Sequence, residues 1–308
     1  MMRQRRGVAL MLVLWLVVVI GASVATAVVL SRSQGNAVLS YRSRLTARMA
    51  AESGIELGLA TLDDTFGAAA SDQDRVSAFH RLLVELGSRS PYVLGDGRFL
   101  LEVKDLTGRI PINTADYATL VRLFELTAGP DRAPALTAAL LDWIDPDDQP
   151  RPSGAEAAQY AALGSPFRPP NRPLRRVEEL ARIPGIDTAL AAVLKNNITL
   201  SGSGLININS APPLALAAAT GMELATAEKL AAMRTNPFVS IQEVRSAMGG
   251  QGGFIPVSLA PRSLLLVSRG WEDGRPHGLE IRVAVELHQT AGARRPRPVV
   301  VSWEERDF

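Results

Sequence analysis

The sequence predicts an α+β protein in which a long N-terminal membrane-spanning helix precedes an antiparallel sheet, and a large all-helical domain is inserted between the strands. Three observations predict this class. A long uncharged run begins close to the N-terminus, alternating strand patterns occur in two distant regions, and the region between them has helical patterns. The 308 residues are enough for a membrane helix and one or two domains of ordinary size.

The first element is an apolar run from Val8 to Leu30. A helix of this length reaches roughly 35 Å, which is enough to cross a hydrocarbon core of about 30 Å. The run is longer than the apolar part of a cleaved secretory signal, although Ala25-Thr26-Ala27 imitates the cleavage site of such signals. It is apolar on every side, which disfavours a core helix. A retained membrane helix is the preferred interpretation, and a cleaved signal is the alternative.

The charges of the chain bear on its location and its partners. Arg3, Arg5 and Arg6 precede the apolar run, so the positive-inside rule places the N-terminus in the cytoplasm and the body in the periplasm. Without these three residues the chain has 30 basic and 31 acidic side chains, so the exported part is near neutral. This balance counts against a nucleic-acid binder that neutralises phosphates. Cysteine is absent, so disulfides contribute nothing to stability.

Helical periodicity continues beyond the apolar run. Apolar residues recur at helical spacing from Ser31 to about Leu62, among Arg, Ser and Ala. The pattern predicts one long helix, half in lipid and half outside it. A second helix is predicted over Asp72–Leu86, after a loop of small residues.

Strand patterns follow. Tyr92–Leu94 and Arg98–Asp105 flank Gly95-Asp96-Gly97, residues that tolerate positive φ, and this arrangement predicts a hairpin. Far downstream, apolar and polar residues alternate over 279–287, which predicts a half-buried strand. Further strands are predicted over Ser263–Val267 and Val299–Trp303.

Within the helical region one pattern occurs twice, as GRIPINTADYATL at 108–120 and GLININSAPPLAL at 204–216. Asn113-Thr114 and Asn209-Ser210 each precede a predicted helix, and their side chains are predicted to cap its free amides. The repetition predicts two related subdomains, and a structural role alone would explain it.

An acidic loop is the best candidate site. Prolines within it prevent a regular helix, and an irregular loop can direct several carboxylates at one hard cation such as Ca²⁺. The spacing is not that of an EF-hand. The alternative is a solvated loop whose aspartates cap helices or pair with Arg151 and Arg168. The acidic residues are Asp142, Asp145, Asp147, Asp148 and Glu156, and the neighbouring Trp143 is predicted to belong to the core.

A second motif raises the alternative of a membrane-anchored DNA-binding or DNA-uptake protein. LARIPGID at 180–187 has the form of a helix-hairpin-helix, in which amides at a helix N-terminus hold a phosphate. Asp187 stands where a second glycine is common, and its carboxylate would cap the helix and repel phosphate. Only Lys195 lies nearby on the following helix. We predict no nucleic acid partner and no enzyme, because the sequence has no P-loop, metalloprotease or nucleophile-elbow motif.

Several segments, taken in order, resemble a known family. Arg5-Arg6-Gly7 followed directly by Val8 resembles the class III leader junction of type IV pilins and pseudopilins, and AAESGIELGL resembles the segment after the membrane helix in pseudopilins. The segments LLDWIDPDDQPRPSGAEAAQY, NRPLRRVEELARIPGID and ININSAP resemble the general secretion pathway K family of type II secretion. The resemblance covers essentially the whole chain.

The resemblance implies a domain organisation. Residues 1–7 would be a leader that prepilin peptidase cuts after Gly7, with Val8 as the methylated new N-terminus and 8–30 as the retained inner-membrane helix. Residues 31–111 would form the pseudopilin helix and first strands. Residues 112–262 would form an inserted helical domain related to SAM and helix-hairpin-helix folds, and 263–308 the last strands of the pseudopilin sheet.

The resemblance also implies a function and a cofactor. The protein would be a minor pseudopilin at the tip of the type II secretion pseudopilus, joined to the I and J types, and would support export of folded proteins across the outer membrane. Leu12 occupies mature position five, where most pseudopilins have a glutamate that pairs with a neighbouring subunit, and a leucine there suits a filament cap. Calcium sites in the family's helical domain imply Ca²⁺. Side-chain type and spacing in this sequence make Asp145, Asp147 and Glu156 the preferred ligands.

Overall fold

The computed structural model describes residues 4–87, 91–202, 205–249, 256–275, 277–288 and 296–308. The helices are α1 (Gln4–Gly67), α2 (Asp72–Gly87), α3 (Tyr117–Ala128), α4 (Ala133–Ile144), α5 (Ala157–Ala162), a 3₁₀ helix (Val177–Arg182), α6 (Thr188–Asn197), α7 (Pro213–Thr220), α8 (Leu224–Ala232) and α9 (Ile241–Ala247). The strands are β1 (Tyr92–Leu94), β2 (Gly97–Asp105), β3 (Ile110–Pro111), β4 (Ile198–Thr199), β5 (Ile206–Asn207), β6 (Val257–Ser258), β7 (Ser263–Glu272), β8 (Gly278–His288) and β9 (Arg297–Asp307). The predicted α+β class is confirmed.

Helix α1 has two parts with different surroundings. The apolar side chains from Leu10 to Leu30 are exposed, and among the described residues α1 is the one helix long and apolar enough to cross a membrane. Further along, Ala51, Ile55 and Leu62 are almost inaccessible because this half packs on the sheet. The predicted single continuous helix is confirmed, and it extends to Gly67.

The main sheet is antiparallel, with strand order β1-β2-β7-β8-β9. The predicted hairpin is confirmed, since β1 and β2 pair across a tight turn in which Gly95 has a φ of +57°. The predicted alternation in β8 is also confirmed, because Ile281, Val283 and Val285 are buried in the core beneath α1. On the opposite face, Glu280 pairs with Arg269 at 2.6 Å.

Helix α1 approaches β7 closely because a glycine lies at the contact. A Cβ atom on Gly270 would lie 2.9 Å from Ala51 Cα and closer still to Ala47 O and Ala51 N. Gly54, on the helix side, leaves similarly little room, because a Cβ there would meet Phe99 Cδ2 at 2.8 Å. The position of α1 on the sheet therefore requires small residues on both surfaces.

The chain leaves the sheet at the end of β2 and returns to it at the start of β7, with a helical insert between the two. The insert has its own hydrophobic core. It also contains two short parallel strand pairs, β3 with β4 and β5 with β6, in addition to the predicted helices. Because Ile110–Pro111 pair within the insert, the helical unit begins a few residues before the predicted boundary at residue 112.

The repeated asparagines do not cap helices, so that prediction is wrong. Asp116 caps α3 by accepting from Thr119 N at 2.7 Å, and α7 begins after Pro212. Asn113 instead follows β3 by two residues and binds backbone groups on both sides. Its Nδ2 donates to Leu174 O and Leu200 O, both at 3.0 Å, and its Oδ1 accepts from Leu174 N at 2.8 Å.

Asn209 makes the same set of hydrogen bonds in the second unit. It follows β5 by two residues, donates to Phe238 O at 2.9 Å and Leu259 O at 3.0 Å, and accepts from Phe238 N at 2.8 Å. In each unit one acceptor is the residue directly after the partner strand, since Leu200 follows β4 and Leu259 follows β6. The predicted repeat is therefore structural: in each unit one asparagine hydrogen-bonds a loop to a parallel strand pair.

The chain crosses from the sheet to the insert after β2 and crosses back before β7. Hydrogen bonds join these two crossings to each other. Leu106 N donates to Ser263 O at 2.8 Å, and Thr107 Oγ1 accepts from Arg262 N at 2.8 Å and Ser263 N at 2.9 Å. Asp105, at the end of β2, accepts from Asn207 Nδ2 at 2.6 Å in the insert. These hydrogen bonds fix the insert at the end of β2 and the start of β7, two inner strands of the sheet.

Candidate metal centre in the helical insert

Three predicted ligands lie together between α4 and α5. Asp145 directly follows α4, Glu156 directly precedes α5, and Asp147 lies in the loop that joins them. One carboxylate oxygen from each lies within 4.8 Å of the others. These separations allow three oxygens to share one cation, since Ca²⁺ takes its ligands at about 2.3–2.6 Å.

Asp142 and Arg151 form the base of the loop. Asp142, in the last turn of α4, is fully buried and accepts from Arg151 Nη1 at 2.8 Å and from Arg151 N at 3.2 Å. The same guanidinium contacts Asp145. Gly154 packs against Asp142 so closely that a Cβ atom there would collide with the carboxylate. The loop is thus folded back on α4, and Asp142 is already paired with an arginine.

Glu156 is the most unusual carboxylate of the centre. It is only 3% exposed, and neither of its carboxylate oxygens has a hydrogen-bond partner within the described part of the chain. Burial, together with the nearby charges of Asp142 and Asp145, raises the pKa of Glu156 to about 7. Asp145 Oδ1 is likewise buried without a partner. Buried carboxylate oxygens are normally paired, so these atoms lack a partner that a cation would supply.

The outer side of the loop is held by Asn171. Its Nδ2 donates to Asp147 O at 2.7 Å and to Asp148 Oδ1 at 2.8 Å. Asp147 Oδ1 also accepts from Gln149 N at 2.9 Å. No sequence pattern indicated the contact with Asn171, which is distant along the chain. Asp147 is exposed, so this side of the centre is open to solvent.

Two aromatic residues line the inner side of the centre. The rings of Trp143 and Tyr160 lie 6.0 Å apart, both residues are buried, and neither Trp143 Nε1 nor the Tyr160 hydroxyl has a partner among the described residues. Burial, and then the charges of Glu156 and Asp142, raise the pKa of the Tyr160 hydroxyl. The prediction that Trp143 is a core residue is confirmed.

The helix-hairpin-helix segment has lost the features that bind phosphate. Gly185 adopts a φ of +84° in the tight turn, but Asp187 caps α6 by accepting from Leu190 N at 2.8 Å, as predicted. Lys195 lies 3.6 Å from Glu178 and is paired with it. One amide at the start of α6 is therefore capped by a carboxylate, and the nearest lysine is paired with a glutamate.

The predicted leader junction lies at the start of α1. Gly7 and Val8 are within the helix, and the helical backbone runs through them from Gln4. Leu12 is 66% exposed in the membrane segment. Cleavage after Gly7 stays a prediction.

Comparison with known proteins finds a family model that the central part of the chain matches. Residues 100–202 match the family model for protein K of the type II secretion system. The predicted resemblance to the protein K family is confirmed. The matched range contains the whole candidate metal centre, including Asp145, Asp147 and Glu156.

Two individual relatives carry the same protein K name. The chain is 30% identical to type II secretion system protein K of Pectobacterium carotovorum subsp. carotovorum over 206 residues, which are 62% of this chain and 61% of the relative. It is 41% identical to protein K of Klebsiella pneumoniae over 95 residues, 30% of this chain and 29% of the relative. The matches thus span less than two thirds of the length of these relatives.

A solved structure has the same fold. The crystal structure of the GspK-GspI-GspJ complex from the type II secretion system of enterotoxigenic Escherichia coli contains a chain that matches with a TM-score of 0.62. The match covers 89% of this chain and 99% of that chain at 16% sequence identity. At this identity the likeness establishes the fold, including a helical insert within a sheet built on a long helix.

Proposed function

We propose that the chain is a minor pseudopilin of the type II secretion system, anchored in the inner membrane with its body in the periplasm. It acts as a structural subunit rather than an enzyme and supports export of folded proteins across the outer membrane. The observation that carries the proposal is the two-part helix α1, whose apolar half is exposed while its other half forms the core of the sheet. A protein K match over residues 100–202 accompanies this helix.

The exposed half of α1 gives the subunit two consecutive environments. In the membrane it is solvated by lipid, and in a filament the same apolar surface packs against the helices of other subunits. We propose that prepilin peptidase removes residues 1–7 and that Val8 is methylated. Intact-mass and N-terminal analysis of the protein from its native membrane tests this. A start at Met1, or at any residue beyond Ala27, would contradict the proposal.

Leu12 supports a position at the tip of the filament, next to the I and J pseudopilins. A leucine at this position makes no charged pairing with the terminal amine of a neighbouring subunit, so it requires no partner in lipid. The bulky helical insert would also block further stacking.

Co-purification of the full chain with I and J pseudopilins tests the tip position. Leu12→Glu is expected to alter the stoichiometry of the complex, because it introduces a charge that demands a partner in lipid. Leu12→Ile is the conservative control, since it keeps an apolar side chain of the same volume and should leave the stoichiometry as it is. Unchanged stoichiometry in Leu12→Glu counts against the tip position.

We also propose that the acidic centre holds Ca²⁺ through Asp145, Asp147 and Glu156. Support comes from three carboxylates with oxygens within 4.8 Å and from buried carboxylate oxygens of Glu156 that lack partners among the described residues. Bound calcium would neutralise the buried charge and hold the loop between α4 and α5 in place. Asp142 and Asp145, at the end of α4, hold Arg151 through ion pairs.

A calcium titration followed by thermal melting tests the metal centre. Excess calcium is expected to raise the melting midpoint of the full chain relative to excess chelator, and Glu156→Gln is expected to reduce the shift. Glu228→Gln, which changes an exposed glutamate on α8, is the matched control and should retain the full shift. The same midpoint in calcium and in chelator would exclude a calcium site of any consequence.

A further inference from the structure

A cavity lies at the junction between the sheet and the helical insert, apart from the acidic centre. Its volume is about 220 Å³. Residues from both chain crossings line it, since Arg109 follows the first crossing and Arg262 and Ser263 belong to the second. Thr199 and Ser201, at the end of β4, contribute hydroxyl groups. A cavity of this size accepts a small molecule or ion and is too small for a folded partner.

Arg109 is the main charged residue in the lining of the cavity. The residue is half-buried, and burial lowers the pKa of its guanidinium, with no carboxylate acting in the opposite direction. Within the described residues, no acidic side chain forms an ion pair with it. A charge that is partly removed from water normally has a counter-ion, because its desolvation is otherwise uncompensated. Arg109 therefore lacks a partner that an anion would supply.

Ser263 provides a second, independent observation. It is 3% exposed and lines the cavity, yet its hydroxyl has no hydrogen-bond partner in the part of the chain that the structure describes. Its backbone is fully engaged, because its N–H donates to Thr107 Oγ1 at 2.9 Å and its carbonyl accepts from Leu106 N at 2.8 Å. Buried hydroxyls are rarely left without a partner. The oxygen itself is inaccessible in this conformation, so it would donate to a ligand after rotating about χ1 toward the cavity.

The remaining charges of the lining are compatible with an anion. Arg262 lies at the exposed side and has no ion pair with any described residue. Glu286 is a carboxylate in the lining and disfavours an anion, but its Oε2 lies 3.0 Å from His288 Nε2, which engages it. Two guanidinium groups and the hydroxyl of Ser263 thus outweigh one engaged carboxylate.

We propose that this junction cavity binds a small oxyanion, a carboxylate or phosphate, with Arg109 as the main charged contact and Ser263 as a hydrogen-bond donor. The planar guanidinium fork matches both ligand types, because each presents two oxygens in one plane. The ligand would bridge the two crossings between sheet and insert. Anion binding would therefore stabilise the attachment of the helical insert to the sheet.

The test uses the full chain in detergent micelles, with sodium succinate and sodium phosphate as probes and sodium chloride at matched ionic strength as the reference. Thermal melting and isothermal titration calorimetry are expected to show saturable binding of succinate, phosphate or both, beyond any effect of chloride. Binding of succinate alone identifies a carboxylate site, and binding of phosphate alone a phosphate site. Equal effects of all three salts would overturn the proposal.

Variants distinguish anion binding in the cavity from a general effect of the protein's charge. Arg109→Gln is expected to weaken binding by about tenfold or more, since it removes a charge-assisted contact. Glu286→Gln is expected to tighten binding, and Ser263→Ala to weaken it without loss of folding, because its hydroxyl has no partner among the described residues. Arg245→Gln, at an exposed arginine of α9 outside the cavity, is the matched control and should bind as the unaltered chain does.

If Arg109→Gln does not fold, the two other cavity variants decide the matter. Unchanged affinity in Arg109→Gln, or in both Ser263→Ala and Glu286→Gln, would show that the anion binds elsewhere and would overturn the assignment. Opposite changes in Ser263→Ala and Glu286→Gln support it, because a general effect of surface charge would not involve a neutral buried serine.

Discussion

Because α1 and β7 are in close contact, we expect Gly270→Ala to destabilise the fold strongly although it adds only one methyl group. The added methyl group would lie 2.9 Å from Ala51 Cα and closer still to two backbone atoms of α1. Ordinary contacts require roughly 3.5–4.0 Å, so the helix must shift away from the sheet by about 1 Å. Backbone atoms of a helix cannot rotate aside as a side chain can.

The expected loss follows from this shift. Overpacking of a well-packed core costs about 1–3 kcal/mol, and here the whole buried face of α1 must move. Replacing glycine also reduces the entropy of the unfolded chain, which offsets up to about 1 kcal/mol. We therefore expect a net loss of about 2 kcal/mol, or roughly 4–8 °C in melting temperature for a body of this size.

Urea unfolding of the full chain in detergent, followed by circular dichroism, measures this loss. Gly67→Ala is the matched control, because it makes the same change at the end of α1, where nothing beyond the adjacent residues and the helix's own backbone lies within 4 Å of the new Cβ. The control is expected to be neutral or slightly stabilising. If Gly270→Ala unfolds at the same urea concentration as Gly67→Ala, then α1 does not lie against β7 as described, and the reasoning fails.

Three further predictions concern the insert. Because the pKa of Glu156 is about 7 in the folded chain against 4.5 ordinarily, the folded state binds more protons than the unfolded state between these values. Without metal, the free energy of unfolding should fall by about 2–3 kcal/mol as pH rises from 4.5 to 7 and then level off. Urea midpoints measured in chelator across this pH range test the prediction, and Glu156→Gln should flatten their profile. An equally steep profile in Glu156→Gln would contradict it. Asn113→Ala and Asn209→Ala should each cost about 2–4 kcal/mol in urea unfolding, since each leaves backbone groups without partners; a neutral effect at one position would refute the equivalence of the two units. In a gel-shift assay at moderate salt the chain should show no salt-dependent affinity for DNA, and a clear shift would revive the DNA-binding alternative.

The sequence predicted the parts of the fold that local periodicity encodes. The long helix, the hairpin at Gly95 and the alternation around Val283 depend on neighbouring residues, and each lies where the pattern placed it. The two short parallel strand pairs were not predicted, because a strand of two residues has no period. Their partners are also distant in sequence, as with Ile110 and Ile198.

The asparagine repeat illustrates the same limit at the level of single side chains. The sequence showed that Asn113 and Asn209 occupy equivalent positions, but an asparagine before a helix fits both a cap and a long-range clamp. Their backbone donors, Leu174 and Phe238, are 61 and 29 residues away, so only the folded chain distinguishes the two roles.

The sequence predicted which carboxylates form the candidate metal centre, but not how deeply each of them is buried. Clustered carboxylates indicated Asp145, Asp147 and Glu156, and the structure places these three together. The burial of Glu156 depends on how the start of α5 packs in the insert, which is a tertiary property. The junction cavity was not foreseen, because Arg109 and Ser263 are far apart in sequence and neither belongs to a motif.

The pairing of β2 with β7 bears on how this architecture can vary. Asp105 and Leu264 face each other in antiparallel register, so the sheet would close as a plain hairpin if a few turn residues replaced everything between them. The helical insert is therefore, in topological terms, an elaboration of a single hairpin loop. Its size can change, or another unit can be exchanged for it, without altering the strands that support it.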